Sequence, residues 1–259
     1  MSSLSGEANP SKRQRRRDSD RSLSTDRSLR EEIIAVGEDG DHVRVLSDRA
    51  GSWGGTCGSV LWAASGAALP WLADRRALFE GCSVLELGAG LGLLGLGMAK
   101  LGARQVMLTD VPAQMPLLLC NAQANSEGPH ERRVKTCALE WGKLPTALGA
   151  QNWDLVVGAD LVYDEDAMPS LAWTLAALLR GKANSRALLA LPDRAEFERG
   201  AGGKPDYTML FDLLALPEHG SLTTKRVGCI SSEDAGTLGS EIHILLVSHA
   251  KGDADGQEV

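Results

Sequence analysis

An α/β domain built around a mostly parallel sheet is the fold class this sequence predicts, and three observations predict it. Short apolar runs alternate with longer stretches of helical periodicity. Several of those runs are apolar on both faces, and the first full one is followed at once by a glycine-rich turn. The runs are Val84 to Leu87, Gln105 to Thr109, Val134 to Leu139, Trp153 to Ala159, Arg186 to Leu191, Leu222 to Ile230 and Glu241 to Val247, which makes seven expected strands. Between them lie a Gly-rich helical stretch reaching about Leu101 and a helix expected to open at Pro112, with Met115, Leu118, Leu119 and Ala122 at helical spacing. Two more helices are marked by Leu171, Leu175, Leu178 and Leu179, and by Tyr207, Leu210, Phe211 and Leu214. Upstream, Glu32 to Val36 and His42 to Leu46 flank Asp39-Gly40 as a hairpin, and Gly58 to Leu72 reads as a helix carrying Trp62 and Trp71.

The 259 residues allow one or two domains, at roughly 150 residues each. Residues 1–30 hold eight Lys/Arg against four acids and eight serines, with almost no apolar side chains, so they are expected to be a disordered basic tail. Residues 31–250 form the folded domain, hairpin and first helix included, and 251–259 a flexible C-terminal tail. The run Lys12-Arg13-Gln14-Arg15-Arg16-Arg17 reads equally as a nuclear-localisation patch and as a solvated charged tail. An organelle transit peptide is disfavoured by the four acids. Beyond the tail the net charge is −11, which makes a poor phosphate-backbone binder and a reasonable host for a cationic substrate.

No window approaches ~18 apolar residues without charge, so no membrane span is expected, and no secretory signal either. The five cysteines are odd in number, scattered and without a C-x-x-C pair. Neither a disulfide framework nor a zinc site is expected, and a cytoplasmic chain, or a nuclear one if the basic run is an address, is the reading. The five histidines show no metal spacing, so no metal is expected.

Most informative is Val84-Leu85-Glu86-Leu87-Gly88-Ala89-Gly90-Leu91-Gly92-Leu93-Leu94-Gly95. A glycine turn after the first strand lets a ligand approach the backbone at the start of the next helix. Gly90-x-Gly92-x-x-Gly95 satisfies the dinucleotide fingerprint formally, but its register is late, because the strand ends at Leu87 and the first turn glycine is Gly88. Glu86 discriminates better. An acid ending an apolar strand needs a cationic or hydrogen-bonding partner. A pyrophosphate would repel it, whereas the ammonium and sulfonium of S-adenosylmethionine would not; the bland alternative is an acid that caps a nearby turn. Asp110, after the second strand and 22 residues beyond Gly88, is placed to accept ribose hydroxyls, or else to cap the next helix.

Taken together, these residues resemble the seven-strand protein-lysine methyltransferases of methyltransferase family 16. The resemblance runs from about Val60 to Val247 through Leu61-Trp62-Ala63-Ala64, the glycine segment, Leu108-Thr109-Asp110, Asn121-Ala122-Gln123-Ala124-Asn125, Leu139-Glu140-Trp141-Gly142 and Trp153 to Tyr163. It implies a Rossmann-like seven-stranded sheet with helices on both faces, and S-adenosylmethionine as cofactor. It implies that Trp62 lies beside the methionine end, Gly88, Ala89 and Gly90 wrap the backbone, and Asp110 holds the ribose. Trp141 would lie against the adenine and Ala159 near the sulfonium. Asp160 and Tyr163, from the D-x-x-Y element, are the catalytic candidates at the acceptor site. Without the resemblance, a lone tryptophan is more often core, and the alternative for Tyr163 is packing on the following helix. Two departures stand out: Gly92 sits where many members carry a larger residue, and residues 195–206 form a Gly-rich loop without a counterpart.

The activity implied is methyl transfer to a lysine amine of a protein substrate. Asp160 is expected to bind and orient the amine, with Tyr163 as a hydrogen-bonding wall, and Asp160, Asp164, Glu165 and Asp166 to make the entrance negative. The alternatives are a small-molecule N-methyltransferase and a catalytically silent interaction module. A nucleic-acid methyltransferase is disfavoured because the prolines of its acceptor motif are absent at Asp160-Leu161-Val162-Tyr163. No membrane or nucleic-acid partner is expected, and a monomer is the default.

Overall fold

The computed structural model describes residues 29–37, 41–51, 53, 57–126, 133–181, 184–194, 207–236 and 240–249. The tails, the Asp39-Gly40 turn and the Gly-rich loop 195–206 lie outside the described residues. Arg30 already belongs to the first strand.

Two strands, β1 (Arg30–Val36) and β2 (Asp41–Ser47), pair antiparallel as the expected hairpin, apart from the main sheet. The main sheet has seven strands: β3 (Ser83–Glu86), β4 (Gln105–Asp110), β5 (Val134–Ala138), β6 (Leu155–Ala159), β7 (Arg186–Pro192), β8 (Leu222–Ile230) and β9 (Ile242–His249). Their order is β5-β4-β3-β6-β7-β9-β8; the first five are parallel, and β9 runs antiparallel to both its neighbours. The chain leaves β3 toward β4 and β5, then returns to the other side of β3 with β6. That reversal opens a crevice beyond the carboxyl ends of β3 and β6, where open α/β sheets bind ligands.

The helices are α1 (Ala63–Ala73), α2 (Leu93–Lys100), α3 (Met115–Ala124), the single turn α4 (Thr146–Gly149), α5 (Met168–Leu179), α6 (Thr208–Leu214) and the single turn α7 (Ser232–Ala235). Alternation along the strands divides the apolar residues between two cores. Val84 and Val106 join Leu69, Leu94 and Leu117 on one face, while Leu85 and Val156 join Leu171, Leu175 and Leu210 on the other. The central strands β3, β6 and β7 are buried almost throughout, which is why they read as continuous apolar runs rather than alternating ones.

Two helix starts differ from expectation. Cys57–Ser59 form a 3-10 turn, Trp62 is extended (φ −94°, ψ 144°), and α1 begins only at Ala63. Tertiary pairing wins here: the Ser59 carbonyl accepts from Asp48 N–H at 2.8 Å, and Gly58 packs against the glycine loop. The Pro112 segment is a non-helical turn; α3 starts at Met115, with Pro116 in its first turn.

Candidate active site

The residues singled out above converge on one cavity of about 720 Å³, within the roughly 300–1,000 Å³ typical of small-molecule sites. Glu86, Gly88, Ala89 and Gly90 line it from the end of β3, Asp110 from β4, and Ala159, Asp160 and Tyr163 from β6. Trp62 reaches it from the start of α1 and Trp141 from the loop after β5.

The glycine turn is held by its neighbours on the sheet. Leu87 N–H donates to the Val157 carbonyl and Ala89 N–H to the Thr109 carbonyl, both at 2.9 Å. Gly90 is left-handed (φ 55°), and a Cβ there would meet the Gly58 carbonyl at 3.2 Å. Gly92, the departure from the family pattern, is the left-handed N-cap of α2 (φ 82°), where a Cβ would fall 2.9 Å from Leu118. Gly95 sits inside α2, packed on Leu108 and Glu86, rather than in a phosphate-binding turn.

Glu86 is buried, 2% exposed, and its Oε2 accepts the Gly95 N–H at 2.9 Å. Since Gly92 offers α2 no side-chain cap, Glu86 supplies the missing acceptor from the neighbouring strand. The same carboxyl lines the cavity, so its capping role and its place at the ligand site coexist. Burial pushes its pKa up to about 8, the Gly95 bond opposes, and Asp110 adds to the rise.

Asp110 does not cap α3. Its Oδ2 accepts Gly90 N–H and its Oδ1 accepts Val111 N–H, each at 2.7 Å. Burial raises its pKa, partly offset by those two bonds. Each oxygen keeps a second lone pair for a ligand hydroxyl. Gln114, which sequence reasoning missed, braces the same loop from below: its Nε2 donates to the Gly58 and Gly90 carbonyls at 3.0 Å each, and Ser59 Oγ donates to its Oε1 at 3.2 Å.

Aromatic side chains form the rim. Trp62 is half exposed, its indole N–H donating to the Cys57 carbonyl at 2.8 Å. The Trp141 and Tyr163 rings lie 6.4 Å apart, tilted by 51°. Partial burial of Tyr163, which stays largely exposed, pushes its pKa up to about 12, with the Cys57 thiol, Asp110 and Asp164 acting in the same direction, so it stays a neutral hydrogen-bonding group.

Asp160 sits at the carboxyl end of β6 in the left-handed region (φ 58°), uncommon for a residue with a side chain. Its N–H donates to the Ala190 carbonyl at 2.9 Å. Its carboxylate is not bare: Arg194 Nη2 donates to Oδ1 at 2.5 Å. Arg194 was not foreseen, because 34 residues separate the pair and only the parallel pairing of β6 with β7 brings them together. In the acidic turn, Asp164 accepts Asp166 N–H at 3.1 Å and caps the 3-10 turn Glu165–Ala167.

Away from the cavity, Cys229, Glu241 and His243 gather with ligand atoms within 4.8 Å, a grouping that spacing could not reveal because Cys229 and His243 face each other across β8 and β9. Internal bonds account for it. The Cys229 thiol donates to Glu241 Oε2 at 3.2 Å, and Arg226 Nη1 lies 3.4 Å from the His243 Nε2 that a metal would need.

A sheet of this order, with a glycine turn leading into a cavity at its switch point, defines a Rossmann-like fold of the methyltransferase class. Solved structures share that fold. The CcbJ methyltransferase from Streptomyces caelestis matches with a TM-score of 0.51 at 14% identity, covering 73% of this chain and 90% of that one. TYW2 from P. horikoshii matches at 0.52 and 15%, covering 86% and 72%. A family profile described as lysine methyltransferase matches residues 46–200, and this chain belongs to that family. Among relatives, protein N-lysine methyltransferase METTL21A of Mus musculus is 36% identical over 141 residues, 54% of this chain and 62% of that protein. EEF1A lysine methyltransferase 3 of Mus musculus is 35% identical over 134 residues, 52% and 56% respectively. The matched stretch thus spans under two thirds of those relatives.

Proposed function

We propose that this chain transfers methyl groups from S-adenosylmethionine to the side-chain amine of a lysine in a protein substrate. The observation that carries the reading is the single cavity uniting Glu86, the glycine loop and Asp110 with Asp160 and Tyr163. Membership of the lysine methyltransferase family and the protein-lysine activities named for the relatives support it.

The residues fit the cofactor. At Gly88 a Cβ would come 2.8 Å from Leu161, so the loop must present bare backbone there. Glu86 and Asp110 suit a ligand carrying positive charge and hydroxyls. Trp62 would lie against the methionine end, Trp141 against the adenine, and Ala159 near the sulfonium. When bound, the cofactor would supply an electrophilic methyl carbon with its sulfur as the leaving group, to an amine held by Asp160 and Tyr163 whose proton would pass to water.

Asp160 and Tyr163 bind and orient the amine, and positioning supplies most of the rate. The amine must first be neutral, and deprotonating a lysine of pKa ~10.4 at pH 7 costs about 4–5 kcal/mol. The exposed acids Asp164, Glu165 and Asp166 draw a cationic acceptor to the opening.

The test is transfer of tritium from labelled S-adenosylmethionine into a cell extract, with Asp160→Ala and Asp110→Ala as controls. A discrete labelled protein band, lost in both variants, is expected. Label confined to small molecules would instead indicate a small-molecule N-methyltransferase. A chain that fails to bind the cofactor would overturn the enzymatic reading altogether.

A further inference from the structure

Among the described residues lining the cavity, Arg194 is the only lysine or arginine, set against Glu86, Asp110, Glu140 and Asp160. Its guanidinium is used as a fork: Nη2 bonds Asp160 Oδ1 at 2.5 Å, and Nη1 bonds the Val162 carbonyl at 2.8 Å. Both anchor points lie on the turn that carries Asp160 and Tyr163. That turn contains a left-handed aspartate and needs holding; the Asp160 N–H to Ala190 bond secures one end and the fork secures the rest. Arg194 is itself fixed from the end of β7, where the Asp193 N–H donates to the Glu241 carbonyl at 2.8 Å.

We propose that Arg194 is the positioning residue of the acceptor site, orienting the Asp160 carboxylate and cancelling its charge so that the incoming amine meets a neutral pair. The inference rests on the lysine-acceptor reading. A bare carboxylate would stabilise the lysine as an ammonium, which has no lone pair to attack with. The Arg194 charge opposes that effect, so the carboxylate can hold the amine without holding its proton. A lysine in place of Arg194 would keep the charge but could not bridge both acceptors in one plane.

Other titratable groups among the described residues face the site. They are Glu86 and Asp110 from the ends of β3 and β4, Glu140 with its partner Lys143 from the loop after β5, and Cys57 from the turn before α1. Tyr163 and Asp164 lie on the Asp160 turn, and Asp193 precedes Arg194. All are present in both wild type and an Arg194 variant, so a difference between the two profiles isolates the pair.

The experiment measures tritium transfer from saturating S-adenosylmethionine into the labelled extract protein, from about pH 6 to 10, for wild type, Arg194→Gln, Arg194→Lys and Asp160→Asn. Arg194→Gln is expected to move the acid limb of the rate profile up by about one pH unit, which is about tenfold in rate at pH 7, and to approach wild type at the alkaline end. Arg194→Lys should leave the limb in place and lower the plateau at every pH. Asp160→Asn, which leaves Arg194 unopposed, should not move the limb upward. Cofactor affinity, measured by calorimetry on each variant, separates misfolding from chemistry. If Arg194→Gln does not bind cofactor, the limb of Arg194→Lys carries the test, and an upward shift there overturns the proposal. It is equally overturned if Arg194→Gln lowers the rate uniformly across pH or not at all. Wild type that binds cofactor but labels no protein would defeat the lysine-acceptor reading instead, a different and separable failure.

Discussion

Asn121 pairs with Leu46 as a residue of a neighbouring strand would. Its side-chain carbonyl accepts the Leu46 N–H at 2.7 Å, and its amide donates to the Leu46 carbonyl at 3.1 Å and to the Leu91 carbonyl at 3.0 Å. Asn125, one helical turn later, treats Arg44 in the same way, accepting its N–H at 2.9 Å and donating to its carbonyl at 2.6 Å. Residues two apart on β2 face one edge, and residues four apart on α3 share one face, so the two periods mesh. The hairpin edge left open by β1 is thereby closed by a helix. Asn121→Ala strands three buried groups and should destabilise the chain by about 2–4 kcal/mol, and Asn125→Ala, at a more exposed edge, by about 1–2 kcal/mol. Urea unfolding monitored by circular dichroism checks both values and their order.

Glu86 makes stability depend on pH in a definite direction. Its folded-state pKa of about 8 lies above the ordinary value of 4.5. Between those values the folded chain keeps a proton that the unfolded chain has shed, so stability falls as pH rises through that window and levels off above it. The span corresponds to on the order of 5 kcal/mol before relaxation of the site is allowed for. Asp110, also raised by burial, adds with the same sign. Glu86→Gln keeps an acceptor for Gly95 but cannot ionise. Its unfolding free energy should therefore fall less steeply between about pH 5 and 8 than that of wild type; equal slopes would contradict the assignment.

Two helical glycines should respond oppositely to alanine. At Gly66 in α1 a Cβ meets nothing within 4 Å, so Gly66→Ala should stabilise by about 0.5–1 kcal/mol through helix propensity. At Gly95 a Cβ would fall 2.4 Å from Leu108 and 2.5 Å from the Glu86 carboxylate. Leu108 is fully buried and Glu86 is held by its bond to Gly95, so neither can yield. Overpacking of about 1–3 kcal/mol is set against a propensity gain of about 1, and with neither neighbour able to give way a net loss of up to about 2 kcal/mol is expected. Thermal melts of the two variants, compared with wild type, decide the matter.

Gln114 joins the Gly58 turn to the Gly90 loop, and neither carbonyl has another bond to fall back on among the described hydrogen bonds. Gln114→Ala should weaken S-adenosylmethionine binding by about tenfold, because the glycine loop loses a brace rather than a ligand contact. Calorimetric titration of the variant measures this. An affinity within twofold of wild type would show that the loop is held sufficiently by Asp110 and Thr109.

Much of this protein was legible in its residues taken in order. The strands could be recognised because a run buried on both faces must be apolar at every position, as Leu155 to Val157 and Ala187 to Leu191 are. The site residues from Glu86 to Gly90, with Asp110, could be named because they lie at the ends of those strands, where the chain turns and the crevice forms, whereas Asp160 and Tyr163 were named through the family resemblance. Helix starts were less legible. Gly58 to Trp62 has helical composition, yet the Asp48–Ser59 hydrogen bond and the packing of Gly58 on the Gly90 loop keep it out of α1.

The sequence alone therefore determined the strands of the sheet, the glycine turn and the acids Glu86 and Asp110 that flank it, all of which depend on periodicity and residue type within short windows. Tertiary structure alone decided the partners of those residues. Glu86 meets Gly95 because α2 folds back over β3; Asp160 meets Arg194 because β7 pairs with β6; Asn121 meets Leu46 because α3 lies along the free edge of the hairpin. Local sequence encodes backbone dihedrals and which side is buried. Which distant groups come within 3 Å depends on how the crossovers place the ends of the elements, and no short window contains that information.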